Sequence, residues 1–417
     1  MKITKECLDL MSFFLKNNCV LPLKQTKQTD TILTKLYNEL TNGFKYIENL
    51  KLTSGEQFYK LKVEHLTNIN QIPKPRTFSQ KAFPSEIRKH IDEYSIGLLS
   101  YSINLFERNI NILFVIENDN LEKLIKMYNN YVDYMLVWLY IVNIYSSKKC
   151  VKQLKIFIYH TTLLKILPES NVSILNEHNV NTAFTTTCPI NSEIVVFRKE
   201  EWFKAFIHET FHNFGLDFSG MNLMKVNEKI LNIFQVNSDV NLFESYTEFW
   251  ARIINIVFCS FTNMKDKNNI NEFLINSEFF INYERIFAFF QMVKILNFMG
   301  LTYNNLYKKD NLSYHLKKTL YKENSNVLSY YIITLILINN YQDFLLWCNT
   351  NNAELLQFKK TTKNLEKYCN FIETNYKSKR IINGVKCSTK LLGVARLSKK
   401  DLNYLINNLR MTLCELG

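Results

Sequence analysis

The distribution of proline is the feature that most restricts how this chain can fold. All six prolines lie at or before Pro189, and residues 190–417 contain none. Proline lacks a backbone N–H and interrupts helices and inner strands, so its absence permits long unbroken elements. Apolar residues in the proline-free part recur at helical spacing, which predicts that it is nearly all helix. The predicted helices lie near 226–236, 243–261, 270–299, 327–346, 353–375 and 399–413.

The part of the chain before the proline-free region carries strand patterns. Runs rich in β-branched and aromatic residues predict strands near 100–105, 109–116, 154–160, 181–187 and 193–198. A long apolar stretch, Leu121 to Ile144, predicts a helix among them. The sequence therefore predicts an α+β fold with a small mixed sheet and a mostly helical C-terminal region. Its predicted units are an N-terminal region 1–85, a central domain 86–262 and a helical region 263–417, with a loop marked by Pro73, Lys74, Pro75, Ser79 and Pro84 between the first two.

Residues 208–212 read His208-Glu209-Thr210-Phe211-His212, which is an intact HExxH motif. Apolar residues before the motif keep a 3.6-residue period and Gly215 can end a helix, so the pattern predicts a helix over 200–214. Residues four apart share one face of a helix, so His208 and His212 can present two nitrogens to a tetrahedral zinc ion. Glu209 would point beside the metal, where its carboxylate can take a proton from water.

A zinc site needs a third protein ligand, and the segment around Glu244 is the best source of one. Glu244 and Glu248 are four residues apart in an apolar helical segment, so both project from one face. One of them can bind the metal while the other accepts the free N–H of a zinc-binding histidine.

With these motifs the chain resembles the Glu-zincin metallopeptidases, in which a glutamate on a later helix completes HExxH. Glu244 and Glu248 match the spacing of the metal ligand and the orienting residue in the thermolysin-like branch, with Glu in place of Asp. The string from Glu244 to Ala251 also resembles a helix of the anthrax-lethal-factor-like peptidases. The resemblance implies a zincin-like domain that holds Zn²⁺ through His208, His212 and Glu244, with Glu248 orienting a ligand.

The same resemblance implies where a substrate would bind. Zincins carry an edge strand before the active-site helix, and an extended polypeptide pairs with that strand. Asn181 and Ala183 are similar to the Asn–Ala pair of thermolysin-like edge strands, with one inserted residue, and we expect them to bind substrate. Zincins also place a hydrogen-bond donor near the metal to stabilise the transition state, and Tyr246 and Arg198 are the candidates here.

A second branch of the zincins is similar in part. Metzincins extend the motif to HExxHxxGxxH, and Gly215 falls on the glycine position of that pattern. Phe218 occupies the position of the third ligand, however, and Asp217 lies one residue too early. We therefore interpret Gly215 as the end of the helix and keep Asp217 as a minor ligand candidate beside Glu244 and Glu248.

Cysteine usage and composition indicate the cellular compartment of the protein. Nine scattered cysteines without a CxxC pair, and no recognisable export signal, favour free thiols in a reducing, intracellular compartment. No apolar run reaches the roughly 18 residues that a membrane span requires. The abundance of Lys, Asn and Ile is typical of an AT-rich genome, such as that of a large DNA virus, and would place the protein in the host cytoplasm or a virion.

The charge distribution keeps a second functional class open. The net charge is +13, and residues 377–400 contain eight Lys or Arg and no Asp or Glu. This basic stretch predicts either a nucleic-acid or acidic partner or a plain solvated surface. The sequence thus favours a zinc-dependent endopeptidase acting on polypeptide, and the alternative is a non-catalytic zincin scaffold with a basic, nucleic-acid-binding or virion-associated surface. The intact Glu209 favours the enzyme.

Overall fold

A six-stranded mixed sheet organises the first half of the computed structural model, which describes all residues except 18, 56–57, 77–80, 119 and 398–401. The strands are β1 Lys60–His65, β2 Gly97–Leu105, β3 Arg108–Ile116, β4 Gln153–His160, β5 Ala183–Thr185 and β6 Asn191–Val196. Their order across the sheet is β1-β2-β3-β4-β6-β5, with β4 parallel to both β3 and β6 and the other pairs antiparallel. The predicted strands are confirmed, and β1 is an addition to them.

Helices make up most of the rest of the described chain. They are α1 Lys5–Asn17, α2 Lys27–Ser54, α3 Ser85–Tyr94, α4 Leu121–Tyr145, α5 Glu177–Val180, α6 Trp202–Asn213, α7 Met224–Ile233, α8 Leu242–Asn263, α9 Ile270–Phe298, α10 Tyr303–Tyr307, α11 Asn311–Leu320, α12 Thr334–Asn339, α13 Tyr341–Asn351, α14 Thr362–Asn375, α15 Lys379–Leu397 and α16 Asn403–Asn407. A π-helical segment, Leu328–Ile333, leads into α12. The predicted α+β class with a helical C-terminal region is confirmed.

One helix prediction near the C-terminus is wrong, and one helix there was not predicted. The predicted helix over 399–413 contains only the short α16, and the described residues after it form no helix or strand. The N–H groups of Met411 and Leu413 donate to buried carboxylates of Glu201 and Glu284, at 2.8 and 2.9 Å, instead of to helical carbonyls. Conversely, α15 forms where no helix was predicted. A Cβ at Gly384 would lie 2.3 Å from the Phe289 ring, so glycine permits the close contact of α15 with α9.

The sheet separates two layers of buried side chains. Ile156 of β4 and Ile194 of β6 belong to the main core, whereas the next residues, Phe157 and Val195, belong to a smaller core on the opposite face. This alternation follows from the two-residue period of a strand. The main core continues without a break from α1 to the C-terminal segment, so all three predicted units contribute to it. The division into units stays a prediction, and residues 77–80 of the predicted loop lie outside the described part of the chain.

The cysteines depart from the prediction of free thiols. Disulfides join Cys19 to Cys387 and Cys150 to Cys188, because the fold brings their Cα atoms to 5.6 and 4.8 Å of each other. The free cysteines are all buried: Cys7, Cys259, Cys348, Cys369 and Cys414. In the described ranges, no helix has both the length and the apolar composition needed to cross a bilayer.

Candidate metal centre

The HExxH motif lies on α6, which neighbouring elements hold in place. Gly215 follows the helix with φ +67°, and its N–H donates to the carbonyl of His212 at 3.0 Å, which confirms the predicted helix end. Asn213 Nδ2 donates to Thr185 Oγ1 of the edge strand at 2.9 Å. On the other side, the indole N–H of Trp138 in α4 donates to Thr210 Oγ1 at 2.7 Å. The orientation of the motif is therefore set by contacts on both sides of the helix.

Glu200 and Glu201 precede α6, and their carboxylates bind other parts of the chain. Glu201 has a left-handed backbone, φ 59°, and its side chain makes no capping hydrogen bond. Its carboxylate instead pairs with Lys165 Nζ at 2.5 Å and accepts the N–H groups of the C-terminal segment. Glu200 accepts hydrogen bonds from Tyr404 and Asn408, at 2.7 and 2.6 Å. These carboxylates fasten the C-terminal segment to the start of the motif helix.

Helix α8 supplies the remaining carboxylates of the site. It packs along α6, and its first turns carry Glu244 and Glu248 on the face toward the histidines. The spacing predicted this shared face, and the structure brings both glutamates to the same ring, that of His208.

Three side-chain atoms converge on one point. Glu244 Oε2 lies 3.0 Å from His208 Nε2 and 3.4 Å from His212 Nε2, and the two Nε2 atoms are 3.1 Å apart. A tetrahedral ion with ligand bonds of about 2.0–2.1 Å has ligand-to-ligand edges of roughly 3.3–3.4 Å, so the spacing suits zinc. The donor set of two imidazoles and one carboxylate is also one that zinc accepts. His208, His212 and Glu244 are the residues that could hold a metal.

The other ring nitrogen of each histidine also meets a carboxylate. His208 Nδ1 lies 3.0 Å from Glu248 Oε2, and His212 Nδ1 makes a short hydrogen bond with Asp217 Oδ2. Carboxylates in this position fix the tautomer and orientation of metal-binding imidazoles. Asp217 is therefore placed to orient His212 and not to complete the inner cluster, and Glu248 has the corresponding position on His208.

These outer carboxylates are themselves anchored by buried groups. Lys204 Nζ contacts both oxygens of Glu248, at 3.0 and 3.1 Å, and Arg252 Nε donates to Glu248 Oε1 at 2.9 Å. Asp217 Oδ1 accepts the N–H and the hydroxyl of Ser219, at 3.0 and 2.7 Å. Each histidine is therefore oriented by a carboxylate that is itself held by neighbouring side chains.

Electrostatics in the centre favour charged carboxylates. Burial raises the pKa of Glu244, but the charge of His212 and hydrogen bonds from both histidines hold the pKa well below its ordinary value. Burial likewise opposes ionisation of Glu248, and the charges of Lys204 and Arg252 hold the pKa of that carboxyl far below its usual range. Burial lowers the pKa of His208 and His212, but the surrounding carboxylates raise both above the ordinary value. Charged carboxylates therefore contact both nitrogens of each imidazole.

Glu209 is positioned for a different role from the other carboxylates. It is 7% exposed, and burial raises its pKa to about 6 although both neighbouring histidines oppose the rise. Together with His208 and Tyr330 it lines a narrow cavity of about 30 Å³. Asn181 and Ala183, predicted to bind substrate, line the same cavity, so the structure brings the edge strand and Glu209 together.

The structure places Tyr330 at the site where Tyr246 was predicted. The Tyr246 hydroxyl donates to the carbonyl of Leu356 at 3.0 Å and lies in a buried aromatic cluster, because two residues along α8 from Glu244 is a different helix face. Tyr330 donates its hydroxyl to Glu244 Oε2 at 3.0 Å, and its ring packs edge-on against His208. Arg198 does not face the centre either, because its guanidinium binds backbone carbonyls that include that of Asn181.

Some of these partners were visible in the sequence. Lys204 is four residues before His208 and Arg252 four after Glu248, so helical spacing alone could have identified both. Tyr330 follows Glu244 at a distance of many residues, and no local pattern singles it out. Its position in a π-helical segment is a structural signal, because such segments are frequent at functional sites.

Comparison with known proteins adds no family to this description. The chain has no significant match to a protein-family model, to a curated protein or to a solved structure.

Proposed function

We propose that this protein is a zinc-dependent endopeptidase with a zincin-like centre. The observation that carries the proposal is the convergence of His208 Nε2, His212 Nε2 and Glu244 Oε2 within 3.4 Å of one another, with Glu209 in the adjoining cavity. Three protein ligands with a buried carboxylate beside them are typical of hydrolytic zinc sites and not of structural ones, which use four protein ligands.

The chain's own residues supply the proton transfers of peptide hydrolysis. When bound, zinc supplies Lewis-acid chemistry that polarises a carbonyl and makes water acidic near neutral pH. The Glu209 carboxylate accepts the proton of the attacking water and passes it to the leaving amine. Its pKa, raised to about 6, suits a group that must both take and release a proton near neutrality.

Tyr330 supports the same reaction as a hydrogen-bond donor. Its phenol lies on the cavity side of the centre, 3.0 Å from Glu244 Oε2. Burial and the nearby carboxylates raise the pKa of this phenol far above its ordinary value, so the hydroxyl keeps its proton. A neutral O–H there can donate to the oxyanion that develops when a carbonyl is attacked.

The edge strand offers a place for an extended polypeptide. Among the described strands β5 lies at the end of the sheet and pairs with β6, and strand addition at this end of the sheet could hold an extended polypeptide. Thr185 of this strand is joined through Asn213 to the end of α6, so a substrate paired with β5 would lie along the motif helix. This geometry is the reason for choosing a polypeptide as the substrate.

The test replaces Glu209 by Gln, which keeps the volume and leaves the histidines intact. We expect one zinc per chain in both proteins, and cleavage of an unbiased peptide library that falls by several orders of magnitude in Glu209→Gln. Glu228→Gln, an exposed glutamate of α7, is the matched control and should cleave like the wild type. A wild-type protein that binds zinc but cleaves nothing, or a Glu209→Gln protein of full activity, would refute the proposal.

A second candidate function rests on α15. Its exposed face carries Lys379, Lys386 and Lys390 in one stripe that spans about 16 Å, and described residues 377–397 contain no acidic side chain. None of these lysines makes an ion pair with another described residue. The stripe suits a nucleic acid or another polyanion. Residues 398–400 of the predicted basic stretch lie outside the described chain.

A binding assay tests this second candidate function. We expect affinity for single-stranded oligonucleotide to fall steeply with salt and to drop further when Lys379, Lys386 and Lys390 are changed together to Glu. The matched control changes Lys225, Lys265 and Lys322 to Glu, which alters the net charge equally elsewhere on the surface. If both triple variants lost affinity equally, binding would depend on net charge and not on α15.

A further inference from the structure

We infer that the cavity beside Glu209 selects a small, uncharged side chain next to the scissile bond, with serine and alanine preferred over larger residues. This inference rests on the proposed peptidase function and specifies its substrate class. The cavity is shared between His208, Glu209 and Tyr330 of the centre and Ala183 of the edge strand, so a strand paired with β5 would direct a side chain into it.

The size of the cavity sets the first limit. Its volume of about 30 Å³ holds one or two groups of the size of water or a methyl. Its apolar walls are Val180, Ala183, Ala205 and Met411. An isobutyl or benzyl side chain would need these walls to move, and overfilling a packed site is unfavourable.

The wall formed by Met411 is firmly held. Its N–H donates to Glu201 Oε1 at 2.8 Å, the next residue Thr412 donates to the same oxygen at 2.5 Å, and the Met411 sulfur contacts Lys204 Nζ at 3.8 Å. Thr412 Oγ1 also donates to Glu284 at 2.9 Å. Because Glu201 accepts two consecutive backbone N–H groups, those of Met411 and Thr412, the backbone of this wall cannot move outward without breaking charge-assisted hydrogen bonds.

The polar groups of the cavity set the second limit. Thr182 lines it and is 5% exposed, and its Oγ1 has no hydrogen-bond partner among the described residues. A buried hydroxyl without a partner favours a ligand that carries a small hydrogen-bonding group. The hydroxyl of a serine side chain fits both the volume and this requirement.

Charged side chains are excluded because the cations of the cavity already have partners. Lys165 Nζ pairs with Glu201 at 2.5 Å, and Lys204 Nζ pairs with Glu248 at 3.0 Å. A carboxylate or ammonium group entering here would have to break one of these buried pairs and leave another charge uncompensated.

The inference is tested by binding, independently of turnover. The probes are succinyl hydroxamates, which chelate zinc and place one substituent where the side chain next to the scissile bond would lie. The zinc-loaded protein is titrated by calorimetry with methyl, hydroxymethyl, isobutyl and carboxymethyl substituents. We expect the first two to bind on the order of 100-fold more tightly than the other two.

Two variants connect this preference to the named residues. Met411→Ala should enlarge the cavity and improve isobutyl binding relative to methyl by about tenfold, whereas the volume-conserving Met411→Leu should not. Thr182→Val keeps the shape and removes the hydroxyl, so hydroxymethyl should lose about tenfold while methyl is unchanged. Thr182→Val also keeps the test decisive if Met411→Ala does not fold.

The outcomes separate this inference from the proposed function. Isobutyl or carboxymethyl binding as tightly as methyl, or no hydroxamate binding to zinc-loaded protein, would overturn the small-residue cavity. Tight binding of the methyl and hydroxymethyl probes without any peptide cleavage would retain the cavity and overturn the peptidase. Failure of the protein to take up zinc would overturn both.

Discussion

Nδ1 of His208 lies 3.0 Å from Oε2 of Glu248, on the side of the ring opposite to Nε2, which faces Glu244 and His212. One histidine thus contacts two glutamates that are a single helical turn apart on α8. The relationship distinguishes two residues that helical spacing alone leaves equivalent. Glu244 lies with the two converging Nε2 atoms, and Glu248 contacts the opposite nitrogen of the His208 ring.

This assignment predicts two sizes of effect on zinc affinity. Glu244→Gln should lower the affinity most, because it removes a charged ligand, whereas Glu248→Gln and Asp217→Asn should each weaken binding about 10–100-fold, as changes behind a histidine ligand do. Competition with a chromogenic chelator at fixed pH measures all three. If Asp217→Asn abolished binding and Glu244→Gln did not, Asp217 would be the ligand.

Loss of the Tyr330 hydroxyl should lower kcat more than it weakens zinc binding. Tyr330→Phe should lower kcat of the zinc-loaded protein about 10²–10³-fold, because one donor to the developing oxyanion is lost, with little change in KM. Tyr246→Phe is the matched control, since its hydroxyl is also buried but bonds to Leu356 on another face of α8. A similar loss of kcat in both variants would indicate a general packing effect.

Acid should remove the stabilisation that the charged Glu201 carboxylate contributes. Burial raises the pKa of Glu201, but Lys165, Lys204 and Arg410 more than offset this and hold the pKa at about 2. The unfolded chain takes up this proton near pH 4.5 and the folded chain only near pH 2, so stability is present above about pH 4.5 and is lost as pH falls toward 2. Urea unfolding of wild type and Glu201→Gln checks this.

Glu201→Gln should cost about 3–5 kcal/mol at pH 7, because it leaves buried cations without their partner. The difference between the two proteins should shrink as the pH falls from about 4.5 to about 2. A difference that stayed constant over this range would show that the Glu201 charge is not what stabilises the fold. Glu228→Gln, which alters an exposed carboxyl, should match the wild type throughout.

The end of α6 should depend on the backbone of Gly215. Gly215→Ala should destabilise the protein by about 1 kcal/mol, because alanine resists the left-handed conformation at φ +67° while its Cβ would meet only ordinary contacts at 3.5 Å or more. Gly220→Ala is the control, since its Cβ would meet nothing within 4 Å and no positive φ is required. Equal denaturation midpoints for both variants would contradict this account.

Much of the local structure follows from patterns in the sequence. The strands from Gly97 to Val196 and the helices α4, α6, α8 and α9 were predicted because their apolar spacing is strong and few breakers interrupt it. Predictions of helices were wrong where the local apolar pattern and the tertiary environment favour different conformations. The segment after α16 has apolar residues suited to a helix, but the carboxylates of Glu201 and Glu284 accept its backbone N–H groups in a non-helical conformation.

The sequence by itself determined that His208 and His212 share one helix face and that Glu244 and Glu248 share another, because a helix places residues four apart side by side. Only the tertiary structure decided how these two faces meet. The packing of α6 against α8 aligned Nε2 of both histidines with Glu244, and long-range folding brought Tyr330 and Met411 to the same cavity. Such contacts depend on the shapes of distant surfaces, and helical periodicity carries no information about them.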